Sequence, residues 1–199
     1  MQAILCRLIL LAFCLVLPIS AAAATWQIDP DHSSIQFKIK HLGIAYVRGI
    51  FEKFEGMVQF DDQDIAKATV QASIDVASLN TAVPKRDEHL RSADFFDVAS
   101  YPTMTFVAQK VIPSGKDTLQ VIGALTLRGI TREVVLNVSG PTPAVQDPWG
   151  NIRRGASATA VLDRRDFGLT WHKTLDNGVP LIGHEVIMQL EIEMIQAKE

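Results

Sequence analysis

The sequence predicts an all-β protein, an antiparallel barrel of about eight strands interrupted by one short helix near residues 83–93. Three observations carry this reading. Apolar and polar residues alternate with period two through most of the chain, which marks half-buried strands. The alternating runs end in clusters rich in Gly, Pro, Asp and Asn, which favour turns. The period changes in one place only, between Val83 and Ala93.

The first 24 residues stand apart from the fold. Arg7 precedes an apolar run from Leu8 to Leu17, followed by Pro18 and "SAAAAT". A charged start, an apolar stretch of about ten residues and an A-x-A site describe a cleavable secretory signal, whereas a membrane-spanning helix needs about twenty apolar residues. Cleavage after Ala24 leaves residues 25–199 as a single domain and places the mature protein in the periplasm. Both cysteines, Cys6 and Cys14, are lost with the leader, so stability must come from the core.

In "SIQFKIKH", Ile35, Phe37 and Ile39 face one way and Gln36, Lys38 and Lys40 the other. "ATVQASIDV" repeats the pattern with Val70, Ala72, Ile74 and Val76. "EVIMQLEIEM" repeats it with Val186, Met188, Leu190, Ile192 and Met194. Between them "VRGIFEKFEGMVQF", "TMTFVA", "TLQVIGALTLRG", "REVVLNVSG" and "ASATAVLD" read as strands, giving about eight. Gly49, Gly56 and Gly123 lie inside these runs, where glycine marks a bulge, a bend or a close backbone approach.

The helix is predicted from "VPKRDEHLRSA". Pro84 suits a first helical turn, Asp87 and Glu88 lie near the positive end, and Asp87 with Arg91 forms an i,i+4 pair. These charges are expected on a solvated face. "YPT" then forces Tyr101 to be extended.

Loss of the leader leaves 18 basic and 22 acidic residues, a net charge of −4 with neutral histidines. That balance lacks the basic footprint of a nucleic-acid binder, and no later apolar run is long enough to insert stably in a membrane as a helix. A membrane β-barrel would share the alternation but needs aromatic girdles, and three Trp and two Tyr supply too few.

Chemical motifs are weak. His89 points away from Asp87 and Glu88, so a metal site is not expected. "HEVIM" has Met188 where a zinc helix needs a second His. "GASAT" lacks the second glycine of a nucleophile elbow. His32 sits beside Ser33, but neighbours on a strand face opposite ways, so no triad forms there. The reading is therefore of a non-enzymatic protein without catalytic or metal residues, the residual enzyme alternative resting on His32, His89 or His172. A barrel of eight strands can hold a small ligand. Alternation alone is equally compatible with an interior filled by its own side chains.

"DHSSIQFKIKHLGIAYVRGIFEKFEG", "RDEHLRSADFFDVASYPTMTF", "GALTLRGITREVVLNV" and "DRRDFGL" together resemble the YceI-like family of secreted polyisoprenoid-binding proteins. The likeness spans nearly the whole mature chain, and "HLRSADFFDVASYPTMTF" is its most specific element. It implies an extended, lipocalin-like eight-stranded antiparallel barrel and a homodimer. It also implies a tunnel for the tail of an isoprenoid lipid such as a polyprenyl pyrophosphate or a long-tailed quinone, with no catalytic cofactor.

The resemblance places the helix across or beside the barrel, with Leu90, Phe95 and Phe96 facing the interior. Alternation adds Phe37, Ile39, Phe51, Phe54, Phe106, Leu125 and Trp171 to the expected lining. A pyrophosphate head would call for arginines at the mouth. Arg48, Arg153, Arg154 and Arg165 are the leading candidates, with Arg128, Arg132 and Arg164 also available. "WHKTLDNGVPLIGHE" is expected to rim the tunnel. The alternative to a carrier is a stress-related structural or interaction module with a self-filled core.

Overall fold

The computed structural model describes residues 23–198; the leader assigned to residues 1–24 lies almost wholly outside them. Twelve strands and one α-helix follow in chain order: β1 (Ala24–Ile28), β2 (Ser34–His41), β3 (Ala45–Phe51), β4 (Phe54–Phe60), β5 (Thr69–Asp75), β6 (Leu79–Asn80), α1 (Pro84–Arg91), β7 (Thr103–Gly115), β8 (Thr118–Leu127), β9 (Ile130–Ser139), β10 (Val145–Gln146), β11 (Ile152–Asp163) and β12 (Ile182–Gln196). All ladders are antiparallel. Strands β11, β9, β8, β7, β5, β4, β1 and β12 pair in sequence, and β11 pairs β12 again, which closes an eight-stranded barrel.

The long strand β12 explains how eight closed strands arise from twelve. Its C-terminal end pairs β1 through Ile28↔Met194, and its N-terminal part pairs β2 through Ile35↔Leu190. β1 and β2 are thus two lengths of one wall, as are β3 and β4 beside them. At the β1/β4 level the wall is a complete ring. At the β2/β3 level the sheet runs on to β6 and stops, and α1 with residues 92–102 fills the space before β7.

The run read as one strand from Val47 to Phe60 is therefore two, separated at Glu52 and Lys53. There the backbone turns its hydrogen bonds toward Ser78 and Asp75: Glu52 N donates to Ser78 O and Asp75 N to Lys53 O. The short strands β1, β6 and β10 were not among the expected elements.

Helix α1 begins at Pro84 as expected and ends at Arg91, where Ser92 caps it with its hydroxyl on the His89 carbonyl at 2.7 Å. Its charges depart from the expected solvated face. Asp87 is only 6% exposed and accepts from the backbone N–H and the hydroxyl of Thr81. Arg86 donates to Thr81 Oγ1 and O, each at 2.7 Å. Arg91 does not pair with Asp87; it donates to the carbonyls of Ala77 and Leu79. The helix is docked on β6 by its polar side, because the turn at residues 76–82 leaves carbonyls and a hydroxyl that need partners where the ladder has ended.

Two glycines let phenyl rings approach the backbone. A Cβ on Gly123 would fall 2.5 Å from the Phe106 ring, and one on Gly49 would collide with Phe37, its cross-strand partner. The β8/β9 hairpin turns on Arg128 and Gly129, both at positive φ (51° and 71°), as a two-residue loop of type I′ requires. A non-glycine residue there is costly. Arg128 is held by donating to Gly168 O at 2.6 Å and Ala93 O at 2.9 Å, which ties the turn to both flanking loops.

Candidate ligand-binding lumen

The barrel interior encloses a cavity of about 510 Å³, within the range of pockets that hold small molecules. Its wall is built from the inward-facing alternate positions, such as Ile35, Phe37 and Ile39 on β2 and Leu136 and Val138 on β9. β11 contributes Ala156, Ala158 and Ala160, small side chains that leave room inside the ring. One end is floored by Trp26, Phe60 and Met194, with Trp26 and Phe60 stacked at a centroid distance of 5.6 Å. Arg154 covers that pair from outside, 5.2 Å from the Trp26 ring.

Of the ten lining residues expected from sequence, nine lie on this wall: Phe37, Ile39, Phe51, Leu90, Phe95, Phe96, Phe106, Leu125 and Trp171. Phe54 does not. It shares the inward face of β4 with Val58 and Phe60, but at the level where β3 gives way to β4 it is only partly buried, opposite Ile74 at the edge of the core. The loop after residue 168 contributes Trp171 and Leu181 to the wall, and Ile182 follows as the first residue of β12. It is folded back on itself by Leu181 N donating to Lys173 O at 2.8 Å. Phe95, Trp171 and His89 form an aromatic group, with Phe95 and Trp171 centroids 5.3 Å apart and His89 edge-on to both.

None of the four leading head-group arginines faces the lumen. Arg48 lies on the outer face of β3 opposite Lys38. Arg153 is consumed by three carboxylates: its Nε donates to Asp147 at 2.7 Å and its Nη1 to Asp29 and Glu193, each at 2.6 Å. Burial pushes Asp29 and Asp147 up, but the hydrogen bonds, chiefly from Arg153, outweigh it and hold both below the usual carboxylate range. Asp29, Glu193 and His32 lie close enough to suggest a metal site, yet the guanidinium of Arg153 fills it. Arg154 is on the inward face of β11, in register with Met194, but lies beyond the Trp26 and Phe60 floor, where it pairs with Asp62. Arg165 pairs with Asp163, which holds that carboxyl at about 2.

The polar groups that do reach the wall are His41, Thr81, Arg86, His89 and Arg164, all at the end where α1 fills the gap. Arg164 is one of the arginines expected to be available for a head group; Arg86, on α1, is an addition that the sequence pattern does not single out. Adjacent Arg164 and Arg165 have opposite fates in the 3-10 turn (Arg164–Phe167) that follows β11: Arg164 is buried in the core, while Arg165 turns out to pair with Asp163. His32, His89 and His172 take three different neighbours, Asp29, Asp94 and the ring of His184.

The sequence profile of the YceI-like domain matches residues 26–194, nearly all of the described chain. The chain belongs to the YceI-like family. A UPF0312 protein of Vibrio cholerae is 42% identical over 161 residues, covering 80% of this chain and 85% of the relative. A UPF0312 protein of Yersinia pestis is 39% identical over 181 residues, 90% of each. Among solved structures, a YceI protein of Campylobacter jejuni superposes with a TM-score of 0.64 at 28% identity, over 81% of this chain and 91% of that one. A polyisoprenoid-binding domain from Saccharophagus degradans shares the fold at 16% identity, TM-score 0.64, over 87% and 99%. The YceI-like barrel is therefore the architecture of this chain, and no helix among the described residues is long and apolar enough to cross a membrane.

Proposed function

We propose that the protein binds an isoprenoid lipid in its lumen and shields the tail from water, acting as a periplasmic carrier or reservoir and not as an enzyme. The observation that carries this is the lumen: a cavity of about 510 Å³ walled almost wholly by apolar side chains, with its few polar groups gathered at one end. Membership of the YceI-like family supports it, as does the likeness to a domain named for polyisoprenoid binding.

Physical chemistry shapes the role. Burying hydrocarbon is worth about 0.8 kcal/mol per CH2, so a tail of about forty carbons would sum to roughly 30 kcal/mol by the same scale. Non-covalent affinity stops near about 18 to 21 kcal/mol. Ordering the tail and competition from an equally apolar bilayer offset most of the gain. Transfer between membrane and barrel is then close to neutral, which suits reversible carriage.

The leader at residues 1–24 supports export. A homodimer completes the proposal: Met57 and Val107 are exposed on the outer face on either side of Gln71, which offers a second copy two apolar side chains flanking an amide. The test is native mass spectrometry of protein purified from its own exported compartment, followed by organic extraction. A stoichiometric polyprenyl or quinone species is expected. A mass free of ligand, unchanged on incubation with such lipids, would overturn the carrier reading in favour of a structural module.

A further inference from the structure

Two hairpin tips stand side by side at the end of the barrel where the polar groups of the lumen gather. The β2/β3 turn is closed by Ile44 N donating to His41 O at 3.1 Å. The second tip, within residues 173–181, is closed by Leu175 N donating to Val179 O and Gly178 N to Leu175 O, each at 2.9 Å. Leu42 N donates to Leu181 O at 2.9 Å, and a Cβ on Gly43 would touch Val179 at 3.8 Å, so the two tips are joined. His41 and Leu181, at their base, both line the lumen.

The chemistry of these tips departs from that of ordinary turns. Leu42 and Gly43 are both at positive φ (53° and 72°), as in a type I′ turn, where Asn and Gly are favoured. This chain places a leucine there and follows it with Ile44, which is 80% exposed. Leu175 is exposed on the second tip. Behind the apolar tips lies a basic collar. Residues 32–51 hold Lys38, Lys40 and Arg48 and no carboxylate, although the chain as a whole is net negative. Lys173 extends the collar, and Asp176 is the one acidic residue between Gly168 and His184. Among the described residues the lysine and arginine ion pairs lie elsewhere, on Lys67, Arg153, Arg154 and Arg165. Lys40 and Lys38 stand over the exposed Tyr46 ring, 4.5 and 5.4 Å from its centroid. From tip to body the order is apolar, then aromatic with cations, which matches the hydrocarbon, headgroup boundary and phosphate layer of an anionic bilayer. The floor end exposes Trp149 too, at 78%, but there Arg153 and Arg154 are already paired with carboxylates.

We infer that the twin-tip end is a membrane-docking surface: Ile44 and Leu175 enter an anionic bilayer while Lys38, Lys40, Arg48 and Lys173 hold its phosphate groups, which sets the polar end of the lumen against the membrane. Docking stands on the tips and collar alone; its use in lipid transfer rests on the carrier reading. Seating one isoleucine in the acyl boundary strengthens binding about tenfold, and each basic residue near the surface about fivefold.

The experiment sediments the mature protein with vesicles of phosphatidylcholine alone or of an equimolar mixture with phosphatidylglycerol. Binding to the mixed vesicles only is expected, weakened about tenfold in Ile44→Ser, about fivefold or more in Lys40→Glu, and unchanged in Trp149→Ser. Salt at about 1 M, which shortens the screening length to about 3 Å, is expected to weaken it as well. No binding, equal binding to both vesicle types, or Ile44→Ser binding like the native protein overturns the docking surface. So does an Ile44-dependent dimer that ignores vesicles, which would make a second copy the occupant. Uptake of geranylgeraniol, read by native mass spectrometry, separates this proposal from the carrier reading. Delivered from ethanol it should enter native protein and Ile44→Ser alike; delivered from mixed vesicles it should enter Ile44→Ser more slowly. Uptake from ethanol without vesicle binding overturns docking and leaves the lipid lumen standing. Vesicle binding without uptake by either route supports docking and overturns the carrier reading.

Discussion

Replacing Ala158 by phenylalanine distinguishes an open lumen from a packed core by the sign of one number. Ala158 lies on β11 between Val138 and Leu190, its neighbours on either side, and all three line the cavity. Cavity-creating substitutions cost about 24 cal/mol per Å³; applied to 510 Å³, that scale gives roughly 12 kcal/mol, comparable with the whole stability of a domain, about 5–15 kcal/mol. Filling the lumen is therefore worth a measurable amount. A phenyl ring accommodated there contributes about 1.5–3 kcal/mol, which raises Tm by roughly 3–12 °C in a domain of this size. In a close-packed interior the same ring would cost about 1–3 kcal/mol instead. The assay is calorimetry on delipidated native protein and A158F, with lipid binding followed in parallel. A higher Tm with weakened binding is expected. A lower Tm with binding unchanged would refute the lumen.

Three further outcomes follow from the polar contacts. Arg153→Met leaves Asp29 and Asp147, whose side chains are 10% and 7% exposed, without their cation; a loss of about 3–5 kcal/mol is expected in urea unfolding, while lipid binding per folded molecule stays unchanged because Arg153 does not face the lumen. Asp163, held at about 2 against an ordinary 3.8, contributes stability that is fully present above its unfolded value and lost as pH falls through about 2. Thermal melts of native protein and Asp163→Asn should therefore differ by a constant amount above about pH 4 and converge toward pH 2; a gap independent of pH would refute the pairing. Asp87→Ala removes the acceptor that docks α1 on Thr81. Hydrogen exchange should quicken across residues 81–96 and remain slow in β8 and β9, and uniform quickening would show that the helix is an integral part of the ring.

The barrel was legible because alternation survives wherever one face is wet. β2, β5 and β12 announce themselves in Phe37, Ile74 and Leu190. β1 was not, since five residues beside the apolar N-terminal run offer too short a period, and the division of β3 from β4 was hidden because Glu52 and Lys53 carry no turn signal. Nine lining residues followed from period and resemblance, whereas Phe54 shows that the correct face does not fix the depth at which a lumen closes. The arginines were the illegible part. Arg153 finds Asp29 at a separation of 124 residues and Glu193 at 40, so no local pattern reveals that it is spent. The burial of Asp87 was equally hidden, since a helix docked by its polar side looks solvated in one dimension.

The paired glycines and phenyl rings of the wall bear on the calibre of the bore. At Gly49 and Gly123 the ring of Phe37 or Phe106 rests where a side chain would otherwise begin. One added methyl at Gly49 must drive the Phe37 ring inward, whereas at Gly123 it also meets the Val107 carbonyl and must shift the strand itself. An isoprenoid carries a methyl branch on every unit and is broader than a linear acyl chain. A narrowed bore would reject the branched tail first. Bare glycine backbone at Gly49 thus makes tail width a property that a single substitution can tune while the barrel stays as it is.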